Sequence, residues 1–460
     1  MHHATTSSHL LDGPIHSASP TETIPARLDE RTTSDSTPDS SSIGSSIATM
    51  DYPYPSIPGT SAFTPRPLPR DGSLPEELVN PPMPTRGGKN MFAYWHTGIQ
   101  SLKPYLMRNV LAWYQRYSSL GWNIYVLDRQ DGSPLNVSRF IDLSDPEVVP
   151  DVMRDGGSVT GQYSAQHSSD LVRWPLLLKY GGAYLDVGVI MFGDMDRLWE
   201  EHIANPDSPF DYAGFTMGDA PDAISIVNFW MMSTPDNPLM QRAHRIFLKL
   251  WEGKTDTTGA HANPLVSHVP LLRVPDNLTQ SDDGKDAMTI DDAAMTDYAV
   301  QIQAMGSAQR WFDEEGKWDG PSYVQHKCYL LSMIQHAYVN EQLSGWDSAK
   351  QHQIFLTPLP PTVNSEETET QRLGRQIVEE SVAGSWVLKL AHGFSARLFG
   401  KPTLGMLWRD DEGSDCKEGT YGGWLRWATV NSRPERTPEA LGIMRYEPTM
   451  RGSLEAMLKC

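Results

Sequence analysis

The sequence predicts an α/β fold in which a mixed or parallel sheet is covered by helices and preceded by a disordered tail. Three observations carry that prediction: composition changes near residue 88, short apolar runs beyond it alternate with stretches of helical periodicity, and the first two of those stretches stop at glycine. Strands that alternate with helices in this way build sheets with both faces covered.

Residues 1–88 are crowded with Ser, Thr and Pro, as in TTSDSTPDSSSIGSS, and their apolar residues occur singly. Such a segment buries too little surface to offset its ordering entropy, so disorder is expected there, with 89–460 as the folded domain. NMFAYWH (90–96) reads as the first strand. Over 104–119, Leu106, Val110, Trp113, Tyr114 and Tyr117 share one helical face, with Pro104 suited to a first turn and Gly121 to a stop. WNIYVLD (122–128) is a second strand. The next helix is expected from about Ser168 to the Gly181-Gly182 pair, followed by one strand, AYLDVGVIMF (183–192). DYAGFTM and SIVNFWMM read as strands, and 237–251 as a helix turning Leu239, Ala243, Ile246, Phe247 and Leu250 inward. The polar stretch 252–320 predicts long loops or a lid, and beyond about 360 loops alternate with short apolar pieces. Ligands of such folds bind beyond the carboxyl ends of the strands.

A formal charge of −19 without any Lys/Arg-rich run argues against a nucleic-acid partner. Neither a secretory-type apolar leader nor a membrane-length apolar window is present, which predicts a cytoplasmic chain with no membrane partner. Cys328, Cys416 and Cys460 are odd in number and far apart, so they exclude a disulfide framework, offer no CxxC pair for zinc and fit a reducing compartment.

The chemistry concentrates in SSDLVRWPLLLKYGGAYLDVGVIMFGD (168–194). Ser168 or Ser169 can cap a helix, and Asp170 in its first turn favours the positive end of the dipole. Arg173, three residues on, falls beside Asp170 on the same face. Pro175 forfeits one helical hydrogen bond and should kink the helix or shift its start. Asp186 sits among Tyr184, Leu185, Val187, Val189 and Ile190, where an unpaired carboxylate is costly. Two readings stay open. Asp186 and Arg173 form a buried ion pair that serves only the fold, or Asp170, Arg173 and Asp186 converge at a strand end on a polyhydroxylated or phosphorylated ligand. Carboxylates accept hydrogen bonds from sugar hydroxyls, a guanidinium pairs with phosphate, and a divalent metal would offset diphosphate charge.

The string SDLVRWPLLLKYGGAYLDVGV resembles the S-D-x-x-R and L-x-x-x-G-G-x-Y/W-x-D signature of sugar-nucleotide glycosyltransferases with the GT-A fold. It is most similar to the capsular polysaccharide synthesis proteins, and more distantly to glycosyltransferase family 32 and the glucosylating clostridial toxins. FAYWHTG, IVNFWMMS and WVLKLAHG are similar to further pieces of that pattern, in the same order. The resemblance implies a GT-A-like (Rossmann-like) catalytic domain in which Trp95 stacks on the nucleotide base, Asp170 holds the ribose and Arg173 reaches the phosphate or donor sugar. It makes Asp186 the first aspartate of an Asp-x-Asp motif, turns Asn228 to the acceptor side, and sets Lys389 and His392 near the diphosphate. The implied cofactor is a divalent cation, Mn or Mg, held by Asp186 with His392 completing the shell. Gly188 stands where the second aspartate belongs, so one metal-binding carboxylate of the pattern is missing. Asp194 and Asp196 follow closely and either approach the site or form an ordinary turn, the turn being preferred. On residue types alone Trp95 is equally a core aromatic, His392 a structural histidine and Asn228 a strand end.

Three functions are carried forward. The first is transfer of a sugar from a nucleotide sugar to a small-molecule acceptor, as in secondary metabolism. The second keeps a similar fold for arginine-containing cyclodipeptide synthesis from aminoacyl-tRNA. The third is an inactive nucleotide-sugar-binding protein.

Overall fold

In the computed structural model the described residues are 54–154, 157–161, 163–218, 224–273, 291–362, 365–391 and 401–459. The apolar runs of the sequence become strands β1 (Asn90–Tyr94), β2 (Asn123–Leu127), β3 (Gly182–Leu185), β4 (Val189–Met191), β5 (Tyr212–Thr216), β6 (Ile226–Ser233), β7 (Cys328–Ser332) and β8 (Val387–Lys389). Six of them form one sheet in the order β7-β5-β6-β3-β1-β2. β1 is parallel to β2 and to β3, and β7 is parallel to β5, whereas β6 runs antiparallel between β3 and β5. Every residue of β1, β3, β5 and β7 is buried, as a sheet covered on both faces requires. Phe92 faces Tyr125 on one side and Tyr184 on the other, and Leu185 faces Trp230. This register brings the residues after β1, β2 and β3, and the first residues of β6, to a single edge of the sheet.

Helix α1 (Pro104–Tyr117) starts on proline as expected, and Gly121 closes the turn after it with φ of 89°. Helix α2 (Ser164–Tyr180) begins a turn earlier than the sequence predicts and carries Pro175 in its interior. Ser168 and Ser169 are therefore not caps, and Asp170 lies beyond the first turn. The missing N–H of Pro175 is tolerated because Leu171, Val172, Trp174, Leu176 and Leu177 are almost wholly buried around it. Gly182 has φ of 102°, and a Cβ there would lie 2.2 Å from the Asn90 carbonyl oxygen, so only glycine lets β3 approach β1. Helix α3 (Pro238–Trp251) keeps its expected place and is capped by the Asn237 side chain.

Three expectations are corrected. AYLDVGVIMF is not one strand: a turn over 186–189, closed by the Val189 N–H on the Asp186 carbonyl at 3.0 Å, separates β3 from β4, which leaves the main sheet and pairs antiparallel with β8. The polar stretch 252–320 contains helix α4 (Val300–Arg310), most of which is buried. Its glutamines hid it from a reading based on apolar periodicity, because they are buried by bonding backbone: Gln301 to the Asp170 carbonyl at 2.7 Å and Gln309 to the Ile224 carbonyl at 2.7 Å. Finally, the tail boundary at 88 does not hold for 54–88. Tyr54, Ile57 and Leu78 are buried, residues Thr60–Ala62 pair antiparallel with Ser432–Pro434, and the Pro55 carbonyl accepts the Trp424 indole at 3.0 Å. Singly spaced apolar residues that plug into an existing surface need no periodicity of their own.

The carboxyl-terminal region adds a helix over Glu369–Gly384, entered through a Thr368/Gln371 capping box, and helix α5 (Tyr421–Asn431). Helix α1 runs along the segment 187–193 and satisfies its carbonyls with side chains. Asn109 donates to Val187 at 2.8 Å, the Trp113 indole to Val189 at 3.2 Å, Arg116 to Met191 and Phe192 at 2.8 and 2.7 Å, and Tyr117 to Gly193 at 2.7 Å. Among the described residues no helix is long and apolar enough to cross a membrane.

Candidate active site

Helix α2 sets Asp170 and Arg173 on one face, Asp186 directly follows β3, β6 begins near Asn228, and β8 ends at Lys389. All converge at the strand edge defined above. Asp170 is buried, and its Oδ1 meets Arg173 Nη2 at 3.0 Å and Asn228 Nδ2 at 3.0 Å, while Oδ2 lies 3.4 Å from His167 Nδ1. Asn228 Nδ2 also donates to Gln301 Oε1 at 2.8 Å, which ties α4 to the site.

Arg173 is locked. Nη1 donates to the Asn228 carbonyl at 2.7 Å, Nη2 to Ser169 Oγ at 2.6 Å, and Nη2 lies 3.5 Å from Asp186 Oδ1. Its guanidinium rests over the Tyr184 ring at 4.7 Å. Burial alone would lower its pKa, but the carboxylates of Asp170 and Asp186 and the Tyr184 ring hold it above the usual arginine value. The Tyr184 hydroxyl bonds Ser169 Oγ at 2.8 Å, and burial pushes that phenol up.

Asp186 keeps 27% of its side chain exposed against 11% for Asp170, so of the two acids it is the more open to solvent. Lys389 Nζ lies 2.7 Å from its Oδ2 and 5.3 Å from the centre of the Phe229 ring. The Asp186 N–H donates to the Phe229 carbonyl at 2.9 Å and the Leu390 N–H to the Gly188 carbonyl at 2.8 Å, so β8 and the turn after β3 are fixed to each other. Among the described residues two carboxylates thus face two cations.

Five expected residues, Asp170, Arg173, Asp186, Asn228 and Lys389, therefore lie in one bonded network. The Arg173–Asp186 pair of the fold-only reading is present at 3.5 Å, and Asp170 and Lys389 share its charges. Trp95 is half-buried directly after β1, at the same strand edge, with its indole donating to Ser101 Oγ at 3.0 Å. His392 lies outside the described residues. Asp194 and Asp196 serve the turn: Asp194 caps the short helix Met195–Leu198 and takes Arg433 Nε at 2.6 Å, while Asp196 takes Lys89 Nζ at 2.7 Å and the Trp122 indole at 2.9 Å.

Sequence reasoning missed Ser169, Tyr184, His167 and Gln301. Ser169 stands four residues before Arg173, and Tyr184 two before Asp186 on the same side of the strand, so both had a spacing signal. Gln301 had none. For a divalent cation, the described residues offer Asp186 alone at the Asp-x-Asp position, with Lys389 on one oxygen and Arg173 on the other. Among the described residues no group of three His, Cys, Asp or Glu could hold a metal.

The family model described as capsular polysaccharide synthesis protein matches residues 73–258, a span that holds α2, β3 and β6. The chain is similar to the O-glycosyltransferase PaGT of Phomopsis amygdali, with 31% identity over 367 residues, covering 78% of this chain and 86% of that protein. It is similar to the O-glycosyltransferase braB of Annulohypoxylon truncatum, with 31% identity over 378 residues, covering 81% and 87%. Glycosyltransferase afumC of Aspergillus fumigatus is 30% identical over 343 residues, covering 74% and 84%.

Proposed function

The chain belongs to the glycosyltransferase family that includes these fungal proteins, and from that premise we propose that it moves a sugar from a nucleoside diphosphate donor to a hydroxyl of a small acceptor. The observation that carries the proposal is the convergence of Asp170, Arg173, Asp186 and Asn228 at the edge of the mixed sheet where the parallel strands β1, β2 and β3 end. The sheet order, with one antiparallel strand beside β3, supports a GT-A-like arrangement, and Gly188 makes its Asp-x-Asp degenerate.

In this reading Trp95 stacks on the base, Asp170 accepts hydrogen bonds from the ribose, and Asp186 and Arg173 bound the sugar and phosphate end of the cleft. The fixed guanidinium contributes positive potential where the leaving diphosphate gains charge, at no reorganisation cost during the reaction. Asn228, bonded to Asp170 and Gln301, forms the wall on the acceptor side. The acceptor we favour is a small hydroxylated metabolite met in the cytoplasm. Relatives named as O-glycosyltransferases favour sugar transfer over cyclodipeptide synthesis and over an inactive binder.

The test is incubation of the full chain with uridine and guanosine diphosphate sugars and a panel of hydroxylated small molecules, followed by mass spectrometry. A sugar-sized mass gain that Asp170→Ala and Asp186→Ala both abolish is the expected result. A folded native protein that neither transfers sugar nor is stabilised by any nucleotide would sink the proposal. Ligand at about 100 times its Kd should stabilise the fold by about 2.7 kcal/mol, a shift that thermal unfolding reads easily.

A further inference from the structure

We propose that Lys389 does the work that a divalent cation does in sites with two aspartates: its ammonium, presented by Asp186, neutralises the donor diphosphate as it departs. The inference rests on the transferase reading above. Of the two cations in the cluster, Arg173 is committed, since it is buried and already bonds Ser169 and the Asn228 carbonyl while facing both carboxylates. Lys389 is differently placed. Its side chain is 15% exposed, beside the more open Asp186, and its ammonium carries three N–H groups, of which Asp186 takes one at 2.7 Å. The remaining donors suit phosphate oxygens, to which a lysine binds as a point charge.

The backbone reinforces that placement. Lys389 stands opposite Val189 in the β8–β4 pair, and the next residue, Leu390, bonds the Gly188 carbonyl at 2.8 Å. The ammonium is therefore tied to the same turn that carries Asp186. A second carboxylate at Gly188 is absent, and a divalent cation on Asp186 would have to displace the ammonium or sit against its like charge. In the transfer step the bond between the anomeric carbon and the phosphate oxygen breaks, with its electron pair staying on that oxygen, where Lys389 donates a hydrogen bond. The acceptor oxygen forms the new bond to the anomeric carbon and releases its proton to water.

The experiment uses the full chain and titrates uridine and guanosine diphosphates, and uridine itself, by calorimetry in excess EDTA and again with manganese. The native protein is expected to bind a diphosphate equally well in both. K389M should weaken diphosphate binding about tenfold or more while leaving uridine binding unchanged, a split that a merely structural lysine would not produce. K389R, which keeps the charge, should recover part of the loss, and this guards against misfolding of K389M. Binding that EDTA removes and manganese restores would overturn the role of Lys389 and leave the transferase reading intact. A folded protein that binds no diphosphate under either condition would overturn both.

Discussion

Replacing Asp415 by asparagine should cost the fold about 3–5 kcal/mol. The magnitude follows from what the carboxylate holds. Asp415 is completely buried and neutralises two arginines: Arg108 through Nε at 3.0 Å and a second contact from Nη2, and Arg426 through Nε at 2.9 Å and Nη2 at 2.6 Å. Burial alone would raise its pKa, but Arg426 and Arg108 hold it below the usual 3.8. An asparagine of the same shape leaves two buried guanidiniums without the carboxylate that they share. For a folded part of roughly 400 residues, whose unfolding entropy is roughly 0.8 kcal/mol per degree, the loss lowers Tm by about 4–6 °C. Scanning calorimetry at neutral pH measures it. The sign with pH is also fixed: a carboxylate with a depressed folded pKa stabilises fully above 3.8 and loses that contribution as pH falls through its folded value, so D415N should shed part of the acid-induced destabilisation. A Tm within about 1 °C of native would refute the claim that this buried network is structural.

Further outcomes are expected. R173K keeps the charge but not the fork that reaches Ser169, Asn228, Asp170 and Asp186, and kcat/KM should drop about 100-fold, read by nucleoside diphosphate release; an unchanged value would remove Arg173 from the machinery. Burial pushes Glu341 from the usual 4.5 up to about 7, which favours its protonated form in the fold. Stability is therefore lost as pH rises through that window, by about 3 kcal/mol once it is passed, and E341Q should flatten the Tm profile between about pH 5 and 8. A native profile already flat there would contradict the burial argument. G182A should cost about 3 kcal/mol or more and sharply reduce soluble yield, because its Cβ meets the Asn90 carbonyl; a normal unfolding midpoint in urea would show that β3 can move away from β1.

The strands and helices of the amino-terminal half were legible because their patterns are apolar and periodic, from Asn90 through Trp251. Asp170, Arg173 and Asp186 were legible because charged residues inside an apolar pattern demand partners. What escaped obeys a different rule. Helix α4 buries glutamines whose amides bond to backbone across the fold, and local periodicity carries no trace of partners such as the Ile224 carbonyl. The break between β3 and β4 escaped because Val187, Val189 and Ile190 continue a strand-like run, while the forces that end the strand come from Asn109 and β8. The early start of α2 escaped because Ser168 and Ser169 read as caps, and only the surrounding core shows that the helix tolerates the missing N–H of Pro175.

The side chains that α1 offers to the carbonyls of 187–193 bear on how such a site can be transplanted or redesigned. The ladders to β1, β6 and β8 hold only part of this segment, and its carbonyls from Val187 to Gly193 depend also on Asn109, Trp113, Arg116 and Tyr117, in a helix far from it in the chain. Arg426 on α5 in turn anchors Asn109 at 2.6 Å. Moving residues 168–194 into a foreign scaffold would transfer the letters without the shape. A graft that keeps Asp186 in place has to include α1, the part of α5 that braces it, and β8 as a single unit.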